Sequence, residues 1–272
     1  MTSLNTMIAQ PPPAFGALAA EGRDRLHIFR DGFIFTSPWV CTARTTRYPA
    51  VLLLSLDGIT PFVLDAGSMA RPVMAAAVAP HVARGLDARR TRLMSLNIEP
   101  SHPLFGHFRQ VGGCGIQVLD RRVFNDFNGE MEACYHGRLG LDEAESLFDR
   151  LLACAVAALP PARPRDVRIS RLLTVLGEDP FMSLTQLAGV LGLSYNRLSH
   201  LFSAEVGVSL RGYQRWVKVR QASLQMNSGL LLTDIAQHAG FSDSAHLART
   251  FQQMYGIRPS YILDNQCMQV VY

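Results

Sequence analysis

The first half of the chain shows short apolar runs separated by turn signals, the pattern of β-strands. Residues 50–56 form an apolar run, Asp57-Gly58 follows as a turn signal, and residues 59–64 are the predicted partner strand of a hairpin. Further strands are predicted at residues 73–78 and 92–98. This half of the chain is therefore expected to be rich in β-structure.

The pattern becomes helical further along. Residues 142–159 carry leucines at helical spacing, with acidic residues in the first turn. The proline-rich residues 160–166 then predict a stiff linker. Beyond the linker, helical periods with cap signals continue to residue 263, so the second domain is predicted to be all-α.

An internal repeat is the most informative feature of this second domain. Residues 184–194 match residues 232–242 at an offset of 48, and after one extra residue in the second copy the offset becomes 49. Each copy predicts a short helix, a glycine turn and a second helix, which is the anatomy of a helix-turn-helix unit.

In the first copy, Ser183 and Gln186 fit a capping box, Gly192 ends the short helix and Ser194 caps the next one. Side chains of that second helix can hydrogen-bond base edges or phosphates in the DNA major groove. The candidates are Asn196, Arg197, Ser199 and His200. For one copy alone, an amphipathic hairpin with a solvated polar face explains the pattern equally well, whereas duplication favours DNA binding.

In the second copy, Gly240 makes the turn and Ser242 is the expected cap. The candidates for DNA contact in this copy are Ser244, Ala245, His246 and Arg249. Arg249 occupies the position of His200 in the repeat, and arginine paired with guanine is the commonest specific base contact. Ala245 offers only a contact with a thymine methyl group.

Between the two copies, residues 209–228 predict one helix of about 30 Å, close to one turn of B-DNA. Such a rod would hold two recognition helices in successive major grooves. Four apolar or aromatic residues, Tyr213, Trp216, Val217 and Leu224, are expected to pack it against both units. Arg211, Arg215 and Lys218 form a basic stripe that faces either phosphate or solvent.

Composition narrows the class of protein. The 272 residues carry a net charge of +4, with 25 Arg against one Lys, and residues 195–220 form a local basic field of the kind that attracts polyanions. No apolar run approaches the roughly 20 residues of a membrane span, and residues 1–10 lack the features of a secretory signal. Five cysteines without a Cys-x-x-Cys pair are expected to be buried or free thiols in a cytoplasmic protein.

Residues 169–263 resemble the AraC/XylS family of bacterial transcription regulators. The most specific stretch runs from Ala236 through Gly240-Phe241-Ser242 to Tyr261. The resemblance implies two helix-turn-helix subdomains joined by a linker helix, promoter DNA as a partner, and transcription activation through RNA polymerase. By motif position, it implies base contacts from Asn196, Ser199, His200, Ser244, Ala245 and Arg249.

The complete fold is expected to be α+β. The predicted parts are a flexible tail (1–20), a cupin-like β-barrel with helices for effector binding or dimerisation (21–159), the linker (160–166), a DNA-binding domain (167–264) with helix-turn-helix units at 183–207 and 231–256, and a C-terminal tail (265–272). The cupin likeness is weak and rests on no specific motif.

The first domain is expected either to sense a small organic effector or to form a homodimer. Residues 142–159 form either a dimer contact or part of the internal packing of the domain. Neither a cofactor nor a metal is predicted, because the His-x-His of cupin enzymes is absent and only His81, Glu99, His102 and His107 are conceivable ligands. Arg89, Arg90 and Arg92 either hold an acidic effector or are solvated. A cupin-type metal enzyme fused to a DNA-binding module is the alternative from another class.

Overall fold

A computed structural model describes residues 23–65, 70–226, 228–255, 258–263 and 268–271. It shows an N-terminal domain of sheets and helices followed by a helical C-terminal domain, so the predicted α+β class is confirmed. The predicted flexible tail, residues 1–20, lies outside the described residues. No described helix is long and apolar enough to cross a membrane.

The N-terminal domain is built from two sheets. One has the strand order β10-β7-β4-β9-β2-β1-β11, and the other has the order β3-β8-β5-β6. The strands are β1 (Asp24–Ile28), β2 (Gly32–Ser37), β3 (Val40–Thr46), β4 (Ala50–Ser55), β5 (Phe62–Asp65), β6 (Ala70–Val73), β7 (Ala75–Val78), β8 (Ala83–Ala88), β9 (Leu93–Ile98), β10 (Ile116–Val118) and β11 (Met268–Val271). Because the described strands form two sheets rather than one closed ring, the predicted cupin-like barrel is not confirmed.

Two apolar layers explain why β4 is a continuous apolar run. Val51 and Leu53 face the space between the sheets, whereas Leu52 and Leu54 face the helices that cover the other side of the larger sheet. A strand that is covered on both faces has no solvent-facing side, so its sequence does not alternate between apolar and polar residues.

The predicted hairpin at Asp57-Gly58 is wrong. Strand β4 pairs with β7 and β9, and β5 pairs with β6 and β8 in the other sheet. The Asp57 carboxylate accepts hydrogen bonds from the backbone N–H groups of Ile59 and Thr60, both at 2.9 Å. The resulting turn carries the chain from one sheet to the other. The run predicted at residues 73–78 is likewise divided between β6 and β7.

Helices occur in both the N-terminal and the C-terminal part of the chain. They are α1 (Phe105–Arg109), a 3₁₀ helix (Arg121–Phe127), α2 (Asn128–Tyr135), α3 (Leu141–Val156), α4 (Val167–Glu178), α5 (Leu184–Val190), α6 (Tyr195–Val206), α7 (Leu210–Leu224), α8 (Leu232–His238), α9 (Ser244–Tyr255) and α10 (Pro259–Leu263). The apolar stripe of α3, with Leu147, Leu151 and Ala155, is buried within its own domain. Of the two alternatives for this helix, packing within its own domain therefore explains its apolar stripe.

Two features of the C-terminal region differ from the prediction. Helix α7 has 15 residues, so it is about 22 Å long rather than 30 Å, and Leu224 at its end is 38% exposed rather than packed. Strand β11 follows the helices and pairs in parallel with β1, so the region beyond the linker is not entirely helical. The C-terminal segment thus forms an edge of the N-terminal sheet.

Candidate nucleic-acid interface

The first helix-turn-helix unit forms as its sequence predicts. Ser183 caps α5, donating its backbone N–H to the Gln186 side chain at 2.8 Å, while the Gln186 N–H donates to the Ser183 hydroxyl at 3.3 Å. Gly192 takes a φ of +64°, which is costly for residues with a Cβ, and Ser194 caps α6. The turn therefore sets the angle between α5 and α6.

Helix α6 separates apolar from polar side chains. Leu198, Phe202 and Val206 are buried against the rest of the domain. On the other side, Asn196, Arg197 and His200 are exposed and Ser199 is half-buried. All four predicted contact residues of the first unit are thus accessible from solvent.

The second unit has the same plan but a different cap. Gly240 makes its turn with a φ of +71°. Asp243, not Ser242, caps α9, because its carboxylate accepts the His246 N–H at 2.6 Å. The extra residue of the second copy explains the difference, since the offset of 49 aligns Asp243 with Ser194. The predicted cap at Ser242 is wrong.

On α9, Ala245 and Arg249 are exposed, whereas Ser244 and His246 are half-buried. The His246 ring is held by a contact of 3.1 Å between its Nδ1 and the Ser242 hydroxyl, and its ring lies edge-on to Phe241. This leaves Arg249 as the exposed cationic side chain of the second candidate reading surface.

The basic stripe of α7 is only partly exposed to solvent. Arg211 and Arg215 are exposed. Lys218 is half-buried, donates to the Gly240 carbonyl at 3.3 Å and lies over the Phe181 ring. Arg220, counted in the predicted basic field, instead points inward and pairs with Glu99. The field is therefore smaller than the sequence indicates.

A groove joins these elements on one surface. It has a volume of about 390 Å³ and lies between the start of α5, the basic stripe of α7 and the turn before α9. Its cationic lining comes from Arg211, Arg215 and Lys218, with His246 beside them. The α7 stripe and the first turn of α9 therefore face the same side of the domain.

The N-terminal domain packs tightly on the helical one. Tyr48 stacks on Trp216 of α7, with ring centroids 6.0 Å apart. Arg109 donates to the Glu205 carbonyl at 2.6 Å, and also to the Ala204 carbonyl. A cation at the last turn of α6 compensates its unpaired carbonyls. The position of α6 is thus fixed partly by the N-terminal domain.

The residues considered as metal ligands are not brought together. Glu99 pairs with Arg220, His102 contacts Asp149 at 3.2 Å, and His107 contacts the Pro160 carbonyl at 3.0 Å. Across the described ranges, no group of three or more His, Cys, Asp or Glu side chains has a metal-binding arrangement. The fourth candidate, His81, packs edge-on against Tyr48.

The arginines considered for an acidic effector have other roles. Arg89 pairs with Asp87 at 2.5 Å and Arg92 pairs with Glu132 at 2.8 Å, and Arg90 is exposed. Four of the five cysteines, Cys41, Cys114, Cys134 and Cys154, are described, and they are free thiols as predicted.

Comparison with known proteins supports the interpretation of the helical domain. Residues 187–265 match the family described as a helix-turn-helix domain. The arabinose operon regulatory protein of Salmonella typhimurium is 26% identical over 136 residues, which cover 48% of this chain and 48% of that protein. The transcriptional activator RhaR of Salmonella schwarzengrund is 30% identical over 169 residues, or 58% of this chain and 57% of that one.

Among solved structures, ToxT from Vibrio cholerae O395 superimposes with a TM-score of 0.56 at 10% identity, covering 85% of this chain and 95% of ToxT. This likeness concerns the fold and includes both domains. The chain spans about half the length of the curated relatives that it matches.

Proposed function

Because this chain is an AraC-type regulator with a DNA-binding helix-turn-helix domain, we propose that it binds specific promoter sequences by placing α6 and α9 in successive major grooves. The observation that carries the proposal is the duplication itself. Two units with the same turn geometry each present a capped helix, and the solvent-facing side carries exposed polar residues on α6 and exposed Arg249 on α9. An α-helix of this kind fits the major groove.

Each exposed or half-buried candidate side chain has a role in this proposal. Asn196 matches the hydrogen-bonding edge of adenine, and Arg249 matches that of guanine. His200 and Arg197 donate to guanine or to phosphate. Ser199, Ser244 and His246 supply further polar contacts, and Ala245 contacts a thymine methyl group. Readout by α9 then depends chiefly on Arg249.

Phosphate contacts come from α7. Arg211 and Arg215 are exposed and line the groove between the two units, with Lys218 at its edge. Contacts of this kind position a protein on the duplex without reading its sequence, and they make affinity fall steeply with salt.

We further propose that the N-terminal domain senses a small molecule or dimerises, and that the regulator activates transcription through RNA polymerase. The packing of Tyr48 on Trp216 supports a coupling between the two domains. A cavity of about 570 Å³ between the domains, lined by Arg30, Arg165 and Tyr213 among others, offers room for an effector. We favour this regulator over a metal enzyme because His102 and His107 are engaged separately by Asp149 and Pro160.

A mobility-shift assay on the DNA upstream of the chain's own gene tests the proposal. The full-length protein should bind this DNA at least 10³-fold more tightly than a random duplex of equal length. Arg249→Ala should reduce that preference without changing the unfolding midpoint. Equal affinity for both duplexes would contradict specific binding.

A further inference from the structure

Strand β8 places a charged side chain among apolar ones. Side chains of a strand alternate between its two faces, so Arg84, Leu86 and Ala88 share one face. Leu86 and Ala88 belong to the apolar core between the two sheets. Arg84 lies with them and is only 4% exposed.

Arg84 has no compensating carboxylate among the described residues. Its Nη1 is buried and has no hydrogen-bond partner. Asp65, on the neighbouring strand, lies on the other face, since a Cβ placed on Gly85 would be 3.6 Å from the Asp65 Cβ. Asp87 also faces away and pairs with Arg89.

A second arginine, Arg47, lies beside Arg84. Arg47 and Arg84 line one cavity, and Arg47 has no described ion pair. Burial lowers the pKa of Arg47 to about 10, and burial together with the charge of Arg47 lowers the pKa of Arg84 to about 9. Arg84 is buried and Arg47 beside it is half-buried, and a buried cation without an anion costs several kcal/mol of folding free energy.

The remaining lining suits an anion as well. The cavity that Arg47 and Arg84 share is also lined by the hydroxyl-bearing residues Thr42, Thr45 and Ser95, and its other lining residues are apolar. The cavity has a volume of about 10 Å³, enough for about one water molecule. A ligand must therefore widen it. The pairing of β3 with β8 shifts register between Thr42 and Thr45, so the edge strand is irregular where widening is needed.

We propose that Arg47 and Arg84 form a binding site for a small oxyanion, the carboxylate or phosphate group of an effector, inside the N-terminal domain. Guanidinium groups bind such groups through two parallel hydrogen bonds, with a geometry that a spherical anion does not match. A bound oxyanion would neutralise the two charges and accept the hydrogen bond that Arg84 Nη1 leaves unmade.

The site has a direct connection to the DNA-binding domain. Arg47 is the chain neighbour of Tyr48, whose ring stacks on Trp216 of α7. The Tyr48 hydroxyl lies 3.2 Å from the position that a Cβ on Gly212 would occupy, so the ring fits closely against this helix. Movement of Arg47 toward a ligand would shift Tyr48 on α7. This regulatory consequence rests on the proposed function, whereas the anion site does not.

Thermal unfolding of the full chain tests the site without DNA. Sodium phosphate and sodium acetate are titrated separately, with sodium chloride at matched ionic strength as the reference. At concentrations well above Kd, at least one oxyanion should raise the midpoint by about 2–4 °C. Arg84→Met and Arg47→Met should each abolish this rise, while Arg44→Met, which removes an exposed arginine from β3, should keep it.

A second readout needs no ligand. In buffer with chloride as the only anion, Arg84→Met should unfold at a higher temperature than wild type, because an unpaired buried charge is removed. The proposal is overturned if neither oxyanion raises the wild-type midpoint, if the rise persists in both Met variants, or if Arg165→Met in the interdomain cavity abolishes it instead. DNA binding is measured separately, so each proposal can fail alone.

Discussion

Glu99 and Arg220 form a buried ion pair that joins the N-terminal domain to α7. The Glu99 Oε2 and the Arg220 Nη1 are 3.0 Å apart, and Glu99 is 1% exposed. Arg220 also donates to the Phe29 carbonyl. Burial raises the pKa of Glu99, and the charge of Arg220 opposes that rise. The pair therefore links the helix between the two helix-turn-helix units to the sheet domain.

Removing one member of this pair should destabilise the chain strongly. Glu99→Gln leaves the Arg220 charge without its partner, so the free energy of unfolding should fall by about 3–5 kcal/mol. Chemical denaturation measures this change. The double variant Glu99→Gln/Arg220→Met should lose much less than the sum of the two single variants. Strictly additive losses would show that the two side chains do not interact.

Arg249 should determine sequence preference in the second unit. Arg249→Ala is expected to weaken binding to the preferred site by about 1–3 kcal/mol and to relax the preference at one base pair. Competition mobility shifts with single-base variants of the site measure both effects. Arg90→Ala removes the same charge from an exposed position in the N-terminal domain and should leave the preference unchanged. If both variants behave alike, Arg249 does not read a base.

Arg211 and Arg215 should contribute to the salt dependence of DNA binding. If each contacts one phosphate, the double alanine variant should lower the slope of log K against log salt by about 2. Affinities for specific and random duplexes should fall to a similar extent. The exposed pair Arg71 and Arg90, replaced by alanine, is the charge-matched control. An unchanged slope would place the α7 stripe away from the DNA.

Asp24 should make the chain less stable as pH rises from about 4 to about 6. Burial raises its pKa from 3.8 to about 6 in the folded state, and Tyr261 donates a hydrogen bond to it at 2.8 Å. The folded chain therefore binds this proton more tightly than the unfolded chain does, and the resulting stability is lost above pH 6.

Asp24→Asn removes this titration and keeps an acceptor for Tyr261. The variant should be more stable than wild type above pH 6, and the difference should shrink toward pH 4. His27 changes stability in the opposite direction, because burial lowers its pKa to about 4. Since both proteins contain His27, its contribution cancels in the difference. A difference that does not vary with pH would contradict the raised pKa of Asp24.

The sequence was sufficient for the local structure of the DNA-binding units. Ser183 and Gly192 act through neighbours a few residues away, so their roles follow from spacing. Contacts between distant segments were not predicted. Two such contacts are the pairing of β11 with β1 and the inward orientation of Arg220. Both depend on how the two domains pack against each other, and the spacing of residues along the chain does not indicate that packing.

For two unexpected features of the structure, the sequence carries a local signal. The change of offset from 48 to 49 already aligned Asp243 with the cap Ser194. The alternation of Arg84, Leu86 and Ala88 already placed an arginine on an apolar face. The length of α7 had no such signal, because good helix formers continue past Leu224 while the helix ends there.

Hydroxyl-radical footprinting of the full chain, on a site selected from random duplexes, tests whether α6 and α9 bind DNA at the same time. Simultaneous binding should protect one face of the DNA, with the two contacted major grooves about one turn, 10–10.5 base pairs, apart. Arg249→Ala should weaken protection at one end only. A single protected groove in the wild-type footprint, or two on opposite faces of the duplex, would contradict simultaneous binding by α6 and α9.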